Sequence, residues 1–166
     1  MIMGIHHTAI ATPDIDRLAA FYCEQLGFEK IYESKWRDKP QTDALVALKN
    51  SSARLMMLRI GEQCIELFNF TSPPTGESNP DRPVSDAGFT HIALQVLDID
   101  SEYERLKAAG MRFHAPPTSS PVLRAAYGRD PDGNVVELLE LLGPHAINVK
   151  PADKFAKEAA ASHVDR

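Results

Sequence analysis

Four side chains in this sequence carry the means for chemistry: His7, Glu66, His91 and Glu137. Two imidazoles and two carboxylates make a mixed nitrogen and oxygen donor set that a divalent cation accepts. Their placement repeats. His7 lies in Ile5-His6-His7-Thr8-Ala9-Ile10-Ala11, and His91 lies in Phe89-Thr90-His91-Ile92-Ala93-Leu94-Gln95, 91 − 7 = 84 residues later. The same offset links Asp14-Ile15-Asp16 to Asp98-Ile99-Asp100 (98 − 14 = 84). Each half closes on a short apolar run with one glutamate, Cys64-Ile65-Glu66-Leu67-Phe68 and then Val135-Val136-Glu137-Leu138-Leu139. One module is used twice.

The elements that must position these residues follow from periodicity. Ile5 to Ala11 alternates as a strand, which puts His7 with Ile5, Ala9 and Ala11 and turns His6 to the other side. Thr12-Pro13-Asp14 then opens a helix of about three turns carrying Leu18, Phe21, Tyr22 and Leu26, stopped by Gly27. Phe28 to Ser34, Ala44 to Leu48, Arg54 to Arg59 and Cys64 to Phe70 read as short strands. The second half repeats the order: a strand at Phe89 to Val96, and a helix led by Asp98 with Ile99, Tyr103 and Leu106 on its apolar side, ended by Gly110. Met111 to His114 reads as a strand and Pro116 to Pro121 as a loop. Val122 to Tyr127 enters the turn Asp130-Pro131-Asp132-Gly133-Asn134, whose Asp-Gly favours a hairpin with Val135 to Leu141 as the return strand. The aperiodic stretch 71–88, rich in proline, glycine and serine, separates the halves. Beyond Pro144 the chain changes character, and Pro151 to Ala161 can form a helix with Phe155 and Ala159 on one side but has too few apolar residues to nucleate alone, so a docked or frayed tail is expected.

Composition narrows the function classes. A chain of 166 residues with 43% hydrophobic content can enclose an ordinary core without staples. Cys23 and Cys64 lie in a helix and a strand rather than in a spaced framework, so a reducing compartment is expected. Eighteen basic against twenty-three acidic residues give a net charge of −5, the wrong sign for a phosphate-backbone binder. The start lacks a signal-peptide pattern, and no run approaches the roughly 20 apolar residues of a membrane span. The expectation is a cytoplasmic protein with neither nucleic acid nor membrane as a partner.

With these motifs in place, the sequence resembles the vicinal oxygen chelate superfamily, which contains glyoxalase I, methylmalonyl-CoA epimerase, extradiol dioxygenases and fosfomycin-resistance transferases. The resemblance spans Gly4 to Leu142 and is carried most specifically by Gly-Phe-Thr-His91-Ile-Ala-Leu and Asp-Pro-Asp-Gly-Asn-Val-Val-Glu137-Leu. It implies an α+β fold of paired βαβββ modules forming a curled mixed sheet around a metal cup. Module one would run over 4–70 and module two over 89–142 in a single domain 1–142, followed by a tail at 143–166. It also implies a small-molecule substrate, a homodimer, and one divalent metal ion per site, with Zn, Ni, Co, Mn and Fe all open. Ligands come from the first and last strands of each module, hence His7, Glu66, His91 and Glu137.

The residues themselves agree. The neighbours two positions away from each, Ile5 and Ala9, Cys64 and Phe68, Phe89 and Ala93, Val135 and Leu139, are apolar or small, and an imidazole or carboxylate among them needs a partner or a cation. A single strand histidine is most often structural and a single strand glutamate most often solvated. The matched repeat favours the ligand reading, while His6, His114, His145 and His163, without partner motifs, stay outside the metal shell.

Bacterial-type glyoxalase I uses His, Glu, His and Glu at these four positions. The resemblance thus implies a metal-dependent lyase or isomerase, with proton transfer next to a carbonyl through a metal-stabilised enediolate or enolate. Glu137 is the expected acid/base and Glu66 the second carboxylate, the reverse assignment being open. The alternatives are an acyl-CoA or sugar epimerase of the same superfamily, an Fe(II)-dependent dioxygenase, and a non-enzymatic small-molecule-binding protein. Substrate contacts are not legible: Lys35, Arg37, Arg54, Arg124 and Arg129 read as surface charge, Trp36 as a loop residue over the sheet, Tyr127 as facing either side, and Cys64 as a small wall residue.

Overall fold

A computed structural model describes residues 1–144 and 147–149. The chain is α+β with mixed sheets and divides into two compact units after Ser78. In the first, β1 (Thr8–Ala11), α1 (Ile15–Ala20), β2 (Glu29–Arg37), α2 (Pro40–Val46), β3 (Ser52–Ile60) and β4 (Gln63–Ser72) build a sheet of order β1-β4-β3-β2. In the second, β5 (His91–Gln95), α3 (Ile99–Ala108), β6 (Arg112–Phe113), β7 (Thr118–Ser119), β8 (Leu123–Arg129) and β9 (Val135–Leu141) build a sheet of order β5-β9-β8-β6, with β7 also on β8. In both, the first strand lies parallel to the last and the other pairings are antiparallel. A parallel neighbour demands a crossover, and the helix supplies it.

The repeated Asp-Ile-Asp does two jobs. Asp14 and Asp98 cap α1 and α3, accepting from the backbone N–H groups of Arg17 and Ser101 at 3.1 Å each. The second aspartate of each triplet meets an arginine from the sheet. Arg54 reaches Asp16 at 2.6 Å and Glu33 at 2.7 Å; Arg124 reaches Asp100 at 2.7 Å and the buried Glu140 at 3.5 Å. The apolar stripe of α1, Ile15, Leu18 and Ala19, is buried with Met56, Leu58, Ile65 and Leu67; that of α3, Ile99, Tyr103 and Leu106, is buried with Ala126, Val136 and Leu138. These sheet residues alternate along their strands with Glu66 and Glu137 and with the residues paired to them, Met57 and Tyr127. The core therefore occupies the helix-side face of each sheet and leaves the other face half-exposed.

Several expected elements are corrected. The strand expected from Ile5 starts only at Thr8, and that from Phe89 only at His91; Ile5 and Phe89 are 86% and 83% exposed. Ala44 to Leu48 is not a strand. Ala44, Leu45 and Val46 form the last turn of α2, entered through Pro40 at its first turn and closed by Ala47 in a left-handed conformation. Its apolar residues looked like a strand because the run is short, yet none of α2 is buried. The expected loop at Pro116 to Pro121 contains β7. α1 continues through a π-helical turn at Phe21–Gln25, so the apolar spacing there departs from a plain α-helix. The helix expected at Pro151 to Ala161, with His145 and His163, lies outside the described residues.

The Asp130 to Asn134 hairpin turn also anchors the segment that precedes β5. Asp130 Oδ1 accepts from the backbone of Asp132 and Asn134, each at 2.9 Å. Gly133 holds φ at +88°, and a Cβ there would meet the Pro80 Cα at 2.3 Å. Arg129 ties both sides, donating to the carbonyls of Gly133 at 2.7 Å and Arg82 at 2.9 Å. Gly133→Ala is expected to lower stability by about 2 kcal/mol or more, from combined strain and overpacking. Gly76→Ala, where a Cβ meets nothing within 4 Å, should stay within about 0.5 kcal/mol. Denaturant midpoints of the two variants check this.

Candidate metal centre

The parallel pairing of first and last strands aligns each histidine with its glutamate. Glu66 sits in register with Ala9 on one side and Met57 on the other. Glu137 sits between Ala93 and Tyr127, and His91 opposes Val135, two residues before Glu137 and so on the same face. The result is His7 Nε2 at 3.2 Å from Glu66 Oε2, and His91 Nε2 at 3.0 Å from Glu137 Oε2. Both carboxylates keep only 14% of their side-chain surface exposed. A sheet face has thus withdrawn two carboxylates from water and given each an imidazole.

The donor chemistry fits a cation. Two ligand atoms bound at about 2.1 Å and roughly at right angles stand about 3.0 Å apart, close to the separation within each pair. The rings are held from behind. His91 Nδ1 lies 2.9 Å from Thr90 Oγ1, and His7 Nδ1 lies 2.8 Å from His6 Nδ1, which leaves Nε2 toward the glutamate in each case. His6 therefore does not turn away from His7. The two rings meet edge to face with centroids 5.1 Å apart, because the chain before Thr8 is not in a strand and strict alternation does not govern it. Within each unit the expected ligands form a pair, and among the described residues no cluster of three or more histidine, cysteine, aspartate or glutamate side chains forms.

Around the pairs the two units differ. In the second, Tyr127 faces the ligand side, opposite Glu137 and 5.0 Å from the His91 ring by centroids. Burial, then the Glu137 charge, raises its phenol above the ordinary tyrosine range, so it is a hydrogen-bond donor at neutral pH. The Tyr127 ring lies 6.2 Å from that of His114, whose Nε2 accepts from Arg129 Nε at 3.0 Å. A hairpin centred on Asp132 pairs 127 with 137, so the facing of Tyr127 was available from turn position alone. In the first unit the residue opposite its glutamate is Met57, and Phe68 and Phe70 follow Glu66 along β4.

Of the expected basic residues, Arg54, Arg124 and Arg129 are engaged in the contacts given above, and Lys35 and Arg37 are exposed and alternate with Trp36. Trp36 is a strand residue of β2, not a loop residue. Cys64 is half-buried on the Glu66 face.

A profile of the Glyoxalase/Bleomycin resistance protein/Dioxygenase superfamily matches residues 4–138, and the chain belongs to that superfamily. It is 32% identical over 152 residues to a 2-epi-5-epi-valiolone epimerase from an Actinomyces species, covering 84% of this chain and 80% of the relative. It is 28% identical over 139 residues to a probable lactoylglutathione lyase from Vibrio parahaemolyticus, covering 82% and 89%. Among solved structures, a glyoxalase family protein from Bacillus cereus matches with a TM-score of 0.76 at 23% identity, covering 86% of this chain and 97% of that one. The fosfomycin resistance protein FosX from Listeria monocytogenes, solved with Mn(II) and sulfate, matches with a TM-score of 0.57 at 24% identity, covering 84% and 93%. The chain's relatives are thus named as an epimerase and a probable lyase. Among the described residues no helix is long and apolar enough to cross a membrane.

His114 gives the second unit a pH signature. Partial desolvation first, then the charges of Arg129 and Arg112, hold the pKa of this largely exposed ring below the ordinary 6.5. As pH falls the unfolded chain protonates before the folded one. The stability this group contributes is therefore complete above the ordinary value and is lost as pH falls through the lower folded-state value. His114→Gln is expected to flatten the fall in denaturant midpoint between about pH 7 and pH 5 relative to the parent. Urea titrations across that window read the difference.

Proposed function

We propose that the chain is a metal-dependent lyase or isomerase, glyoxalase I-like in its ligand set, that moves a proton on carbon next to a carbonyl. His7, Glu66, His91 and Glu137 are the proposed ligands of one divalent cation, in a protein that acts as a homodimer. The observation that carries this reading is the repeated imidazole and carboxylate pair at ligand-edge spacing in both units, each glutamate on a largely desolvated sheet position. Relatives named as an epimerase and a probable lactoylglutathione lyase support it.

A cation held by these donors would serve as a Lewis acid on the substrate carbonyl, acidifying the adjacent C–H. Glu137 takes the proton onto a carboxylate oxygen, the electron pair of the broken C–H bond stays on the substrate, and Glu137 returns the proton to carbon. Return by Glu137 to the neighbouring carbon isomerises; delivery of a proton to the opposite face, the role open to Glu66, epimerises. Glu137 rather than Glu66 is assigned as the base because Tyr127 lies opposite it, placing a donor where a second substrate oxygen can be held. Met57 offers Glu66 no such partner.

Elemental analysis of the purified protein should find a stoichiometric divalent metal. Deuterium from solvent should then enter members of a panel of α-hydroxycarbonyl compounds, hemithioacetals and 2-methylacyl thioesters, and chelation should stop it. Glu137→Gln should slow exchange by about 10²- to 10⁴-fold. Absence of exchange with every panel member in metal-loaded protein overturns the reaction class. Failure to bind any divalent ion overturns the site.

A further inference from the structure

On the Glu66 face of the first sheet, three aromatic side chains stand together. Phe68 and Phe70 follow Glu66 at two-residue steps along β4 and stack at 5.6 Å and 17°. The Trp36 indole, from β2, packs edge-on against both, with centroids 6.0 and 5.8 Å away. All three are half-buried, and they lie across the sheet from Met56, Leu58, Ile65 and Leu67, which form the helix-side core.

Two facts separate this trio from ordinary packing. The second unit has no counterpart: the residues after Glu137 on the same face are Leu139 and Leu141, paired with Ala125 and Leu123. A requirement of the fold would be met in both copies. The trio is also held by a dedicated relay. Trp36 Nε1 donates to Ser51 Oγ at 2.9 Å, and the Ser51 hydroxyl donates to Asp43 Oδ1. The Ser51 and Asn50 backbone N–H groups donate to the two Asp43 oxygens at 2.9 Å each. Asp43 belongs to α2, which buries nothing of its own. The excursion between β2 and β3 carries three non-glycine residues at positive φ, Asp38 (48°), Ala47 (55°) and Asn50 (51°). Such conformations persist where the surroundings enforce them. Here they hold the carboxylate that fixes the indole.

We infer that Trp36, Phe68 and Phe70 form a substrate-selecting wall beside Glu66, with Asp43 and Ser51 as residues that position the indole, and that the wall receives a ring carried by the carbonyl substrate. This rests on the proposed reaction and names its substrate class: a cyclic α-hydroxyketone rather than a short acyclic one. Along a strand, two residues span about 6.6 Å. A six-membered ring that contains the reacting carbonyl reaches Phe68 at that distance, and the Trp36 indole packs against Phe68. A methyl group does not reach.

Trp36 is the chain's single tryptophan, so its emission reports on the wall directly. Metal-loaded protein titrated with 2-hydroxycyclohexanone should show saturable quenching or a spectral shift, with hydroxyacetone giving neither. In deuterium exchange, kcat/KM should favour the cyclic compound by about tenfold or more. Trp36→Leu should collapse that ratio to within about threefold. Asp43→Asn and Ser51→Ala should reduce it through KM of the cyclic compound, and shift the emission of the free protein. Trp36→Phe, which keeps a ring but loses the donor, should fall between. Equal responses to the two ketones, or a preference that survives Trp36→Leu, overturns the wall. If neither ketone exchanges, the proposed reaction fails on these substrates and the emission titration alone decides the wall: saturable quenching by the cyclic compound keeps it, and its absence ends it.

Discussion

A carboxylate reduced to 14% of its side-chain exposure has lost most of its hydration, and the sheet face that buries it must return a partner. That requirement organises each unit. The glutamate lies on the last strand, and the only nearby strand that can bring an imidazole onto the same face from the other end of the module is the first, running parallel to it. Parallel pairing in turn requires a crossover helix, and the helix requires a cap and a buried stripe. Asp14 and Asp98 supply the caps; Leu18 and Leu106 lie fully buried in the stripes. The alternation of the strands then divides labour, with the apolar core and the arginine ion groups on the helix side and the histidine and glutamate pairs on the other.

Two copies of such a module need not stay alike, and these differ on the face that carries the histidine and glutamate pairs and in their connections, α2 being present in the first and β7 in the second. The helix-side devices match: capping aspartate, arginine reaching the second aspartate, and a carboxylate from the sheet completing the ion group, Glu33 in one copy and Glu140 in the other. On the other face the first copy carries Met57 opposite its glutamate and Phe68, Phe70 and Trp36 further along the sheet, whereas the second carries Tyr127 opposite its glutamate with His114 against Tyr127.

The repeat of His7 and His91, the Asp-Ile-Asp triplets and the Asp-Pro-Asp-Gly-Asn turn made the modules, their helices and the β8–β9 hairpin legible, because each is written in local spacing. The facings of Glu66, His91 and Glu137 followed from strand alternation. They were less secure for His7, which precedes β1, and this is where the reading of His6 failed. Long-range partners were not legible. Nothing local in Thr42-Asp43-Ala44 indicates that Asp43 accepts from Ser51, or that Ser51 then anchors Trp36 fifteen residues away. α2 was misread for the same reason: its residues contribute no buried stripe, so the periodicity that reveals a helix was absent. Arg54 and Arg124 looked like free surface charge because their partners come from the helix starts, 38 and 24 residues away in sequence.

The arginine groups also bear on how rigid the ligand face can be. An exposed ion pair contributes little to stability, on the order of 0–1 kcal/mol, so Arg54 with Asp16 and Arg124 with Asp100 are poor candidates for holding the fold by strength. Their placement has a different consequence. Each ties the first turn of a crossover helix to a central strand of its sheet, β3 or β8, the strand hydrogen-bonded to the one that bears the ligand glutamate. A helix fixed at its start against that strand limits sliding of the crossover, and with it the register between first and last strands. A slip of one residue there would move the histidine to the opposite face from its glutamate. Register, rather than free energy, is what these pairs protect, and the imidazole and carboxylate spacing depends on it.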